Sequence, residues 1–185
     1  MKLGITQRTF EHNGQLYDAT DRNWYDMFPE KDGYKIVSIP NTKSIDLKKI
    51  AKNIDALIIA GGNDIAPRGI NEWHLIEHMS VLNKPVVGIC HGAFLMTYKA
   101  HGKVEPIDRH NNINHVIWYK GYERVVNSHH DIGMSRAPEG ATVLCEADDG
   151  SIECWIKGNH AAIAWHPERL EDYWMPLEVE ALLLC

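Results

Sequence analysis

The stretch Val86-Val87-Gly88-Ile89-Cys90-His91-Gly92-Ala93-Phe94-Leu95 permits few folds. An apolar, partly β-branched run enters through Pro85, meets a Gly-x-Cys-x-Gly turn and passes into residues 93–99, which suit a helix. Strand, sharp turn and helix in that order form a nucleophile elbow, with a thiol where Gly-x-Ser-x-Gly hydrolases carry a hydroxyl. A residue held in a strained turn needs small neighbours, and Gly88 and Gly92 flank Cys90. At the start of a helix the dipole and uncommitted N–H groups favour a thiolate, the reactive form of cysteine. The alternative is a buried structural cysteine, and the two glycines after an apolar strand argue against it.

The flanking pattern agrees with this layout. Residues 2–6 and 35–39 are short and β-compatible, and the second run stops at Pro40. Between them, in residues 17–33, Trp24, Tyr25, Met27 and Phe28 predict an apolar helical face with Gly33 as its stop. Residues 46–53 predict a short helix. The run Ala56-Leu57-Ile58-Ile59-Ala60 predicts a strand buried on both faces, ending in Gly61-Gly62-Asn63-Asp64. Residues 71–82 are helical in pattern and lead into the strand that delivers Cys90. Strands separated by helices imply an α/β fold with a mostly parallel sheet covered on both faces. Beyond Lys103 the pattern changes to short runs at 115–119, 123–126, 141–147, 151–156 and 161–165, with Asp148-Asp149-Gly150 as a hairpin signal. These predict antiparallel or mixed strands, followed by a closing helix over 174–184. A chain of 185 residues suits one domain, 1–185.

Composition excludes several classes of function. A net charge of −6 with no Lys/Arg-rich run offers no nucleic-acid surface. No stretch approaches the roughly 20 apolar residues of a membrane span, and the N-terminus lacks an apolar leader core. A cytoplasmic protein with no membrane partner is therefore expected. Cys90, Cys145, Cys154 and Cys185 are widely spaced, which predicts reduced thiols and neither a disulfide framework nor a zinc site. The histidines at 91, 110, 115, 129 and 130 lack a Cys or carboxylate pattern at zinc-site spacing, so no metal and no cofactor are expected. Oligomeric state has no signature in the sequence.

A reactive thiol needs a base, and the base needs a partner to orient it. In Ile163-Ala164-Trp165-His166-Pro167-Glu168 a strand ends at an imidazole, and a proline-fixed turn places a carboxylate two residues on. Cys90, His166 and Glu168 can fill the three roles, although each of the 11 histidines is a competing base. Glycines at the end of a parallel strand let backbone N–H groups approach a ligand, so those of Gly62 and His91 are candidates for an oxyanion hole. A tight strand-to-loop turn is the other reading of Gly61-Gly62.

Four motifs in order, Gly61-Gly62-Asn63-Asp64, Gly88-Ile89-Cys90-His91-Gly92, Val126-Asn127-Ser128-His129-His130 and Trp165-His166-Pro167-Glu168, resemble the class I glutamine amidotransferases. Within them the chain looks most like the stand-alone γ-glutamyl hydrolases that cleave γ-glutamyl-γ-aminobutyrate. Gly4-Ile5-Thr6-Gln7-Arg8 and Asp21-Arg22-Asn23-Trp24-Tyr25 share that likeness. The resemblance implies a flavodoxin-like three-layer α/β sandwich, a Cys-His-Glu triad, a glutamyl-thioester intermediate and a small-molecule γ-glutamyl amide as substrate. It also implies that Gly61, Asn63, Ser128, His129 and His130 lie near the glutamate moiety. Glutamine-using members usually carry Gln where this chain has Phe94, so the glutamate is gripped differently here. The chain is shorter than typical γ-glutamyl hydrolases, with a trimmed region between Asp64 and Asn71, which implies a reshaped leaving-group pocket.

Arg8, Asp21, Arg22 and Trp24 are expected at the same sheet edge as Cys90. An Arg beside an aromatic ring suits a phosphate-bearing or nucleotide-like leaving group; a helix-entry Asp21 and a core Trp24 are the alternative. The chain is also similar to small hydrolases encoded with capsule-phosphoramidate pathways, which release glutamate from γ-glutamyl-CDP-amidate. Two other readings stand beside hydrolysis: a glutaminase subunit feeding ammonia to a synthase, and a silent redox, stress or binding protein on the same scaffold. Fast ammonia release from free glutamine without a partner marks the first, and function surviving loss of His166 and Glu168 marks the second.

Overall fold

The computed structural model describes residues 1–63 and 68–184. Asp64 and Cys185, named above, lie outside them. In chain order the elements are β1 (Lys2–Thr6), β2 (Arg8–His12), β3 (Gln15–Ala19), α1 (Asn23–Met27), β4 (Lys35–Ile39), α2 (Leu47–Asn53), β5 (Ala56–Ile59), α3 (Arg68–Val81), β6 (Val86–Ile89) and α4 (His91–Lys99). There follow β7 (Lys103–Pro106), β8 (Asn111–Tyr119), β9 (Tyr122–His129), β10 (Ile132–Arg136), β11 (Thr142–Ala147), β12 (Ile152–Lys157), β13 (His160–Ile163) and α5 (Leu177–Leu182).

The central sheet runs β4-β1-β5-β6-β13-β12-β11-β8-β9, with β10 and β7 joined at β12. Its first five strands pair in parallel. Taken in chain order those five lie 2-1-3-4-5, the flavodoxin-like doubly wound arrangement, whose ligands bind beyond the carboxyl ends of the strands. From β13 outward every pairing is antiparallel. The chain thus has the expected α/β fold with a parallel centre, and the short antiparallel strands fill the C-terminal half.

The core lies along the parallel strands. β5 and β6 are buried at every position, because helices cover both faces of a parallel sheet and leave no polar side to the strand. α2 begins at Asp46, whose carboxylate accepts the Lys49 N–H at 2.9 Å. The Asp148-Asp149-Gly150 turn joins β11 to β12, as its composition predicts.

Two segments depart from expectation. Residues 17–33 do not form one helix. A β2-β3 hairpin occupies its start, and α1 is five residues long before a 3-10 turn at Glu30–Asp32 that ends at Gly33. The apolar spacing of Trp24, Met27 and Phe28 was real, but only a short helix is needed to seat Trp24 and Phe28 in the core. The closing helix is likewise limited to α5, with Pro176 preceding its first residue and 174–176 extended before it. β7 and β10 pair with each other and carry no strong alternation in sequence.

Candidate active site

Cys90 stands between β6 and α4 with φ 49° and ψ −106°, a conformation unusual for a non-glycine residue. The close packing of the elbow explains its glycines. A Cβ on Gly88 would come within 2.6 Å of the Gly92 backbone, and one on Gly92 would collide with the Ile59 carbonyl of β5. The Cys90 N–H donates to the Ile163 carbonyl at 2.8 Å, tying the elbow to β13.

That tie is what brings His166 to Cys90. β6 and β13 are parallel neighbours with Ile89 opposite Ile163, so the residues that follow each strand emerge side by side. His166 faces the Cys90 thiol, and its Nδ1 lies 2.7 Å from Glu168 Oε1. Both His166 and Glu168 are buried. The imidazole lies on Gly61, where a Cβ would occupy its space. Asn127 of β9 grips the same residue by its backbone: its Oδ1 accepts the His166 N–H at 2.9 Å and its Nδ2 donates to the His166 carbonyl at 2.8 Å. Asn127 is a positioning residue that the sequence motif contained without signalling its role.

Burial disfavours the charged imidazole, yet hydrogen bonds to Cys90 and Glu168 and the charge of Glu168 outweigh it, and the pKa of His166 is raised to about 9. The shift favours the doubly protonated ring at neutral pH, with Nδ1 facing Glu168. His129, edge-on to His166 with ring centres 5.7 Å apart, is pushed the other way by burial and by the His166 charge.

A second buried network lies beneath the Gly61-Gly62 loop. Arg68 Nε donates to Glu72 Oε1 at 2.9 Å, Thr6 Oγ1 donates to the same oxygen at 2.7 Å, and Glu72 Oε2 lies 2.8 Å from His91 Nε2. The other end of Arg68 donates to the carbonyls of Ala60, Gly61 and Asn63. One ion pair therefore holds both the Gly61-Gly62 loop and the first residue of α4. Gly62 has φ 128°, and a Cβ there would meet Arg68 Nη1 at 2.7 Å. Sequence reasoning missed Arg68 and Glu72, because an Arg and a Glu four apart on a helix read as an ordinary surface pair.

A cleft of about 770 Å³ opens over this floor and is lined by Gly62, Asn63, Cys90, His91, Phe94, His129 and His130, among others. Phe94 meets the edge of His130 with ring centres 5.2 Å apart. Ser128 is fully buried behind the wall, donating to the His110 carbonyl and lying 3.1 Å from His130 Nε2. Ser128 therefore presents no surface to a ligand. Trp24 is 1% exposed and stacks on Phe28 in the core, which removes it from the leaving-group side. Asp21 accepts the Asn23 N–H at 3.2 Å at the entry to α1. Arg22 is exposed at the same entry.

Arg8 stands closer in, with its Cβ 3.0 Å from where a Gly62 Cβ would be. Burial and the charge of Arg169 lower its pKa. Arg169 itself lies 3.8 Å from Glu168 Oε1 and 3.6 Å from Asp21 Oδ2. The two guanidinium groups stand beside His166 and Glu168 together with the carboxylate of Asp21.

Residues 17–172 match the glutamine amidotransferase class-I family. The chain belongs to that family. It is 27% identical over 183 residues to the γ-glutamyl-CDP-amidate hydrolase of Campylobacter jejuni, covering 91% of this chain and 90% of that one. It is 32% identical over 152 residues to a glutamine-hydrolysing GMP synthase polypeptide from Methanoregula boonei, covering 71% and 74%. The crystal structure of a glutamine amidotransferase from Thermotoga maritima superposes with a TM-score of 0.73 at 15% identity, over 90% of this chain and 76% of that one.

Proposed function

We propose that this protein hydrolyses a γ-glutamyl amide through a thioester on Cys90. The observation that carries the reading is the line Cys90, His166, Glu168 beneath the cleft, with His166 held doubly protonated to about pH 9. In the first half-reaction the Cys90 thiolate attacks the γ-carbonyl carbon and the carbonyl oxygen becomes an oxyanion. The backbone N–H of Gly62 and that of His91, uncommitted in the first turn of α4, receive it. His166 gives its Nε2 proton to the leaving nitrogen, the C–N bond breaks and the amine departs. Water then attacks the thioester, His166 takes its proton, the C–S bond breaks, and glutamate is released as the thiolate–imidazolium pair re-forms.

The amine we assign is phosphorylated, of the γ-glutamyl-CDP-amidate type. Two features support this choice: the guanidinium groups of Arg8 and Arg169 near Glu168, and a similarity to the Campylobacter hydrolase that runs over nine-tenths of both chains. The test is glutamate release from γ-glutamyl-CDP-amidate, γ-glutamyl-γ-aminobutyrate and free glutamine by the purified protein. The phosphorylated amide should turn over fastest. Ammonia release from glutamine at a comparable rate would overturn the assignment in favour of a glutaminase.

A further inference from the structure

Behind the cleft wall, β8, β9 and β12 bring together groups that lie far apart in the sequence. His110 precedes β8, His115 is on β8, His130 follows β9 and Glu153 is on β12. One nitrogen each from His110 and His130 and one Glu153 oxygen lie within 4.8 Å of one another, all buried. His110 Nδ1 is 3.5 Å from Glu153 Oε1, and His115 Nε2 is 3.6 Å from Glu153 Oε2. Among the described residues, none of these four atoms has a hydrogen-bond partner. A fully buried carboxylate with both oxygens unpaired is costly, so something positive has to face it.

The outer hydrogen bonds decide which ring atoms face inward. His110 Nε2 is 3.0 Å from Asp149 Oδ2, and His130 Nδ1 is 2.8 Å from the Ile132 carbonyl; both oxygens only accept, so both nitrogens carry hydrogen. In a neutral ring the inward atoms, His110 Nδ1 and His130 Nε2, are then bare lone pairs. The Ser128 hydroxyl cannot satisfy the second, because it donates to the His110 carbonyl. A proton on His110 would bridge only two groups, whereas three inward donors converge here. Histidines that donate their outer N–H to a carboxylate or a carbonyl while turning the other nitrogen inward are oriented as metal-bound histidines are. A tetrahedral ion with bonds of about 2.0 Å spaces its donors about 3.3 Å apart, close to the 3.5 Å between His110 Nδ1 and Glu153 Oε1.

We propose that His110 Nδ1, His130 Nε2 and Glu153 bind a divalent transition-metal ion of the zinc class, with His115 as the nearest further donor. Two nitrogens and a carboxylate oxygen suit zinc among the common ions. The expectation of no metal came from spacing along the chain, and the missing carboxylate is supplied across the sheet. The ion would join the β8-β9 hairpin to β12 and fix the ring of His130, which packs on Phe94 in the cleft wall. The site stands apart from the proposed chemistry and does not depend on it.

Protein stripped with a chelator and titrated with Zn²⁺ or Co²⁺ tests this directly. Wild type and Cys90→Ser should each take up about one equivalent, and the Co²⁺ form should show tetrahedral visible bands without thiolate charge transfer. Glu153→Gln and His110→Asn should weaken binding by about 100-fold, and Asp149→Ala by about tenfold. Absence of uptake by the wild type at micromolar metal overturns the proposal. So does binding that vanishes in Cys90→Ser, which would place the ion on the triad, or binding unchanged in folded Glu153→Gln. Should both ligand variants fail to fold, histidine side-chain NMR of the wild type decides. Zinc must shift the His110 and His130 rings, and unmoved rings refute the site.

Discussion

The parallel and antiparallel halves of the sheet divide the labour of the cleft unequally. β5, β6 and β13 deliver Gly61, Cys90 and His166 at one edge, through glycines whose missing side chains set distances of a few ångström. β9 and the residues that follow it supply the wall, and behind them β8 and β12 carry long polar side chains that reach inward and need partners. Under the proposed hydrolysis, chemistry belongs to the half with the rigid backbone and selectivity to the half where side chains meet. Variants in the first half should therefore change rate, and variants in the second should change binding or order.

The largest effect is expected at the elbow. Cys90→Ala should remove turnover by on the order of 10³-fold or more, since covalent catalysis has no substitute there, and His166→Ala should cost about 10²–10⁴-fold. Both should keep the wild-type circular dichroism spectrum. Glu168→Gln should fall within the same range, because it removes the charge that orients the base. It also has a spectroscopic signature. The His166 imidazole should titrate near pH 9 in the wild type and at a lower pH in Glu168→Gln. Because folding raises this pKa above its ordinary 6.5, the stabilisation from His166 is complete below pH 6.5 and fades as the pH rises through about 9. Thermal melts in the two proteins between pH 6 and 10 check the sign; a wild type that grows more stable across that window would contradict it.

Next comes the ion pair beneath the oxyanion loop. Glu72→Ala leaves the Arg68 guanidinium buried without its carboxylate, a change that costs about 3–5 kcal/mol. It also releases His91 and the Gly61-Gly62 loop, so turnover should drop along with the melting temperature. Activity intact in a destabilised Glu72→Ala would separate the network from the oxyanion hole and confine it to stability.

The two halves were not equally legible in the sequence. In the parallel half a strand buried on both faces is a continuous apolar run, and a close backbone approach demands glycine. Residues 56–60, Gly88, Cys90 and Gly92 therefore announce themselves. The grouping of Cys90, His166 and Glu168 was readable for the same reason: His166 follows an apolar strand, and Pro167 fixes the turn to Glu168. The partners of buried polar groups are set by tertiary contacts instead. Arg68 with Glu72 looks like a surface pair on α3 until Thr6 and His91 close around it. Asn127 clamps a residue 39 positions away, and Glu153 faces two histidines at and just before β8, about 40 positions back. Residues 17–33 failed in the opposite direction. Their apolar spacing is genuine, but the hairpin of β2 and β3 is held by pairings such as Thr9 with Asp18 that leave no periodic trace.

The smallest expected effect bears on the rim where the halves meet. Arg8 stands beside Gly62 with Asp21, Glu168 and Arg169 as its charged neighbours, so removing its charge should leave the triad hydrogen bonds in place. A single charge-assisted contact to a phosphate is worth about 1.5 kcal/mol, or roughly tenfold in affinity. Arg8→Ala should accordingly raise KM for γ-glutamyl-CDP-amidate about tenfold while leaving kcat, and the KM of γ-glutamyl amides with uncharged amines, near wild type. An equal loss on charged and uncharged amides would show that Arg8 acts through the Gly62 loop. A phosphate grip would then have to be sought at Arg169, which lies 3.8 Å from Glu168 and whose removal would disturb the base as well.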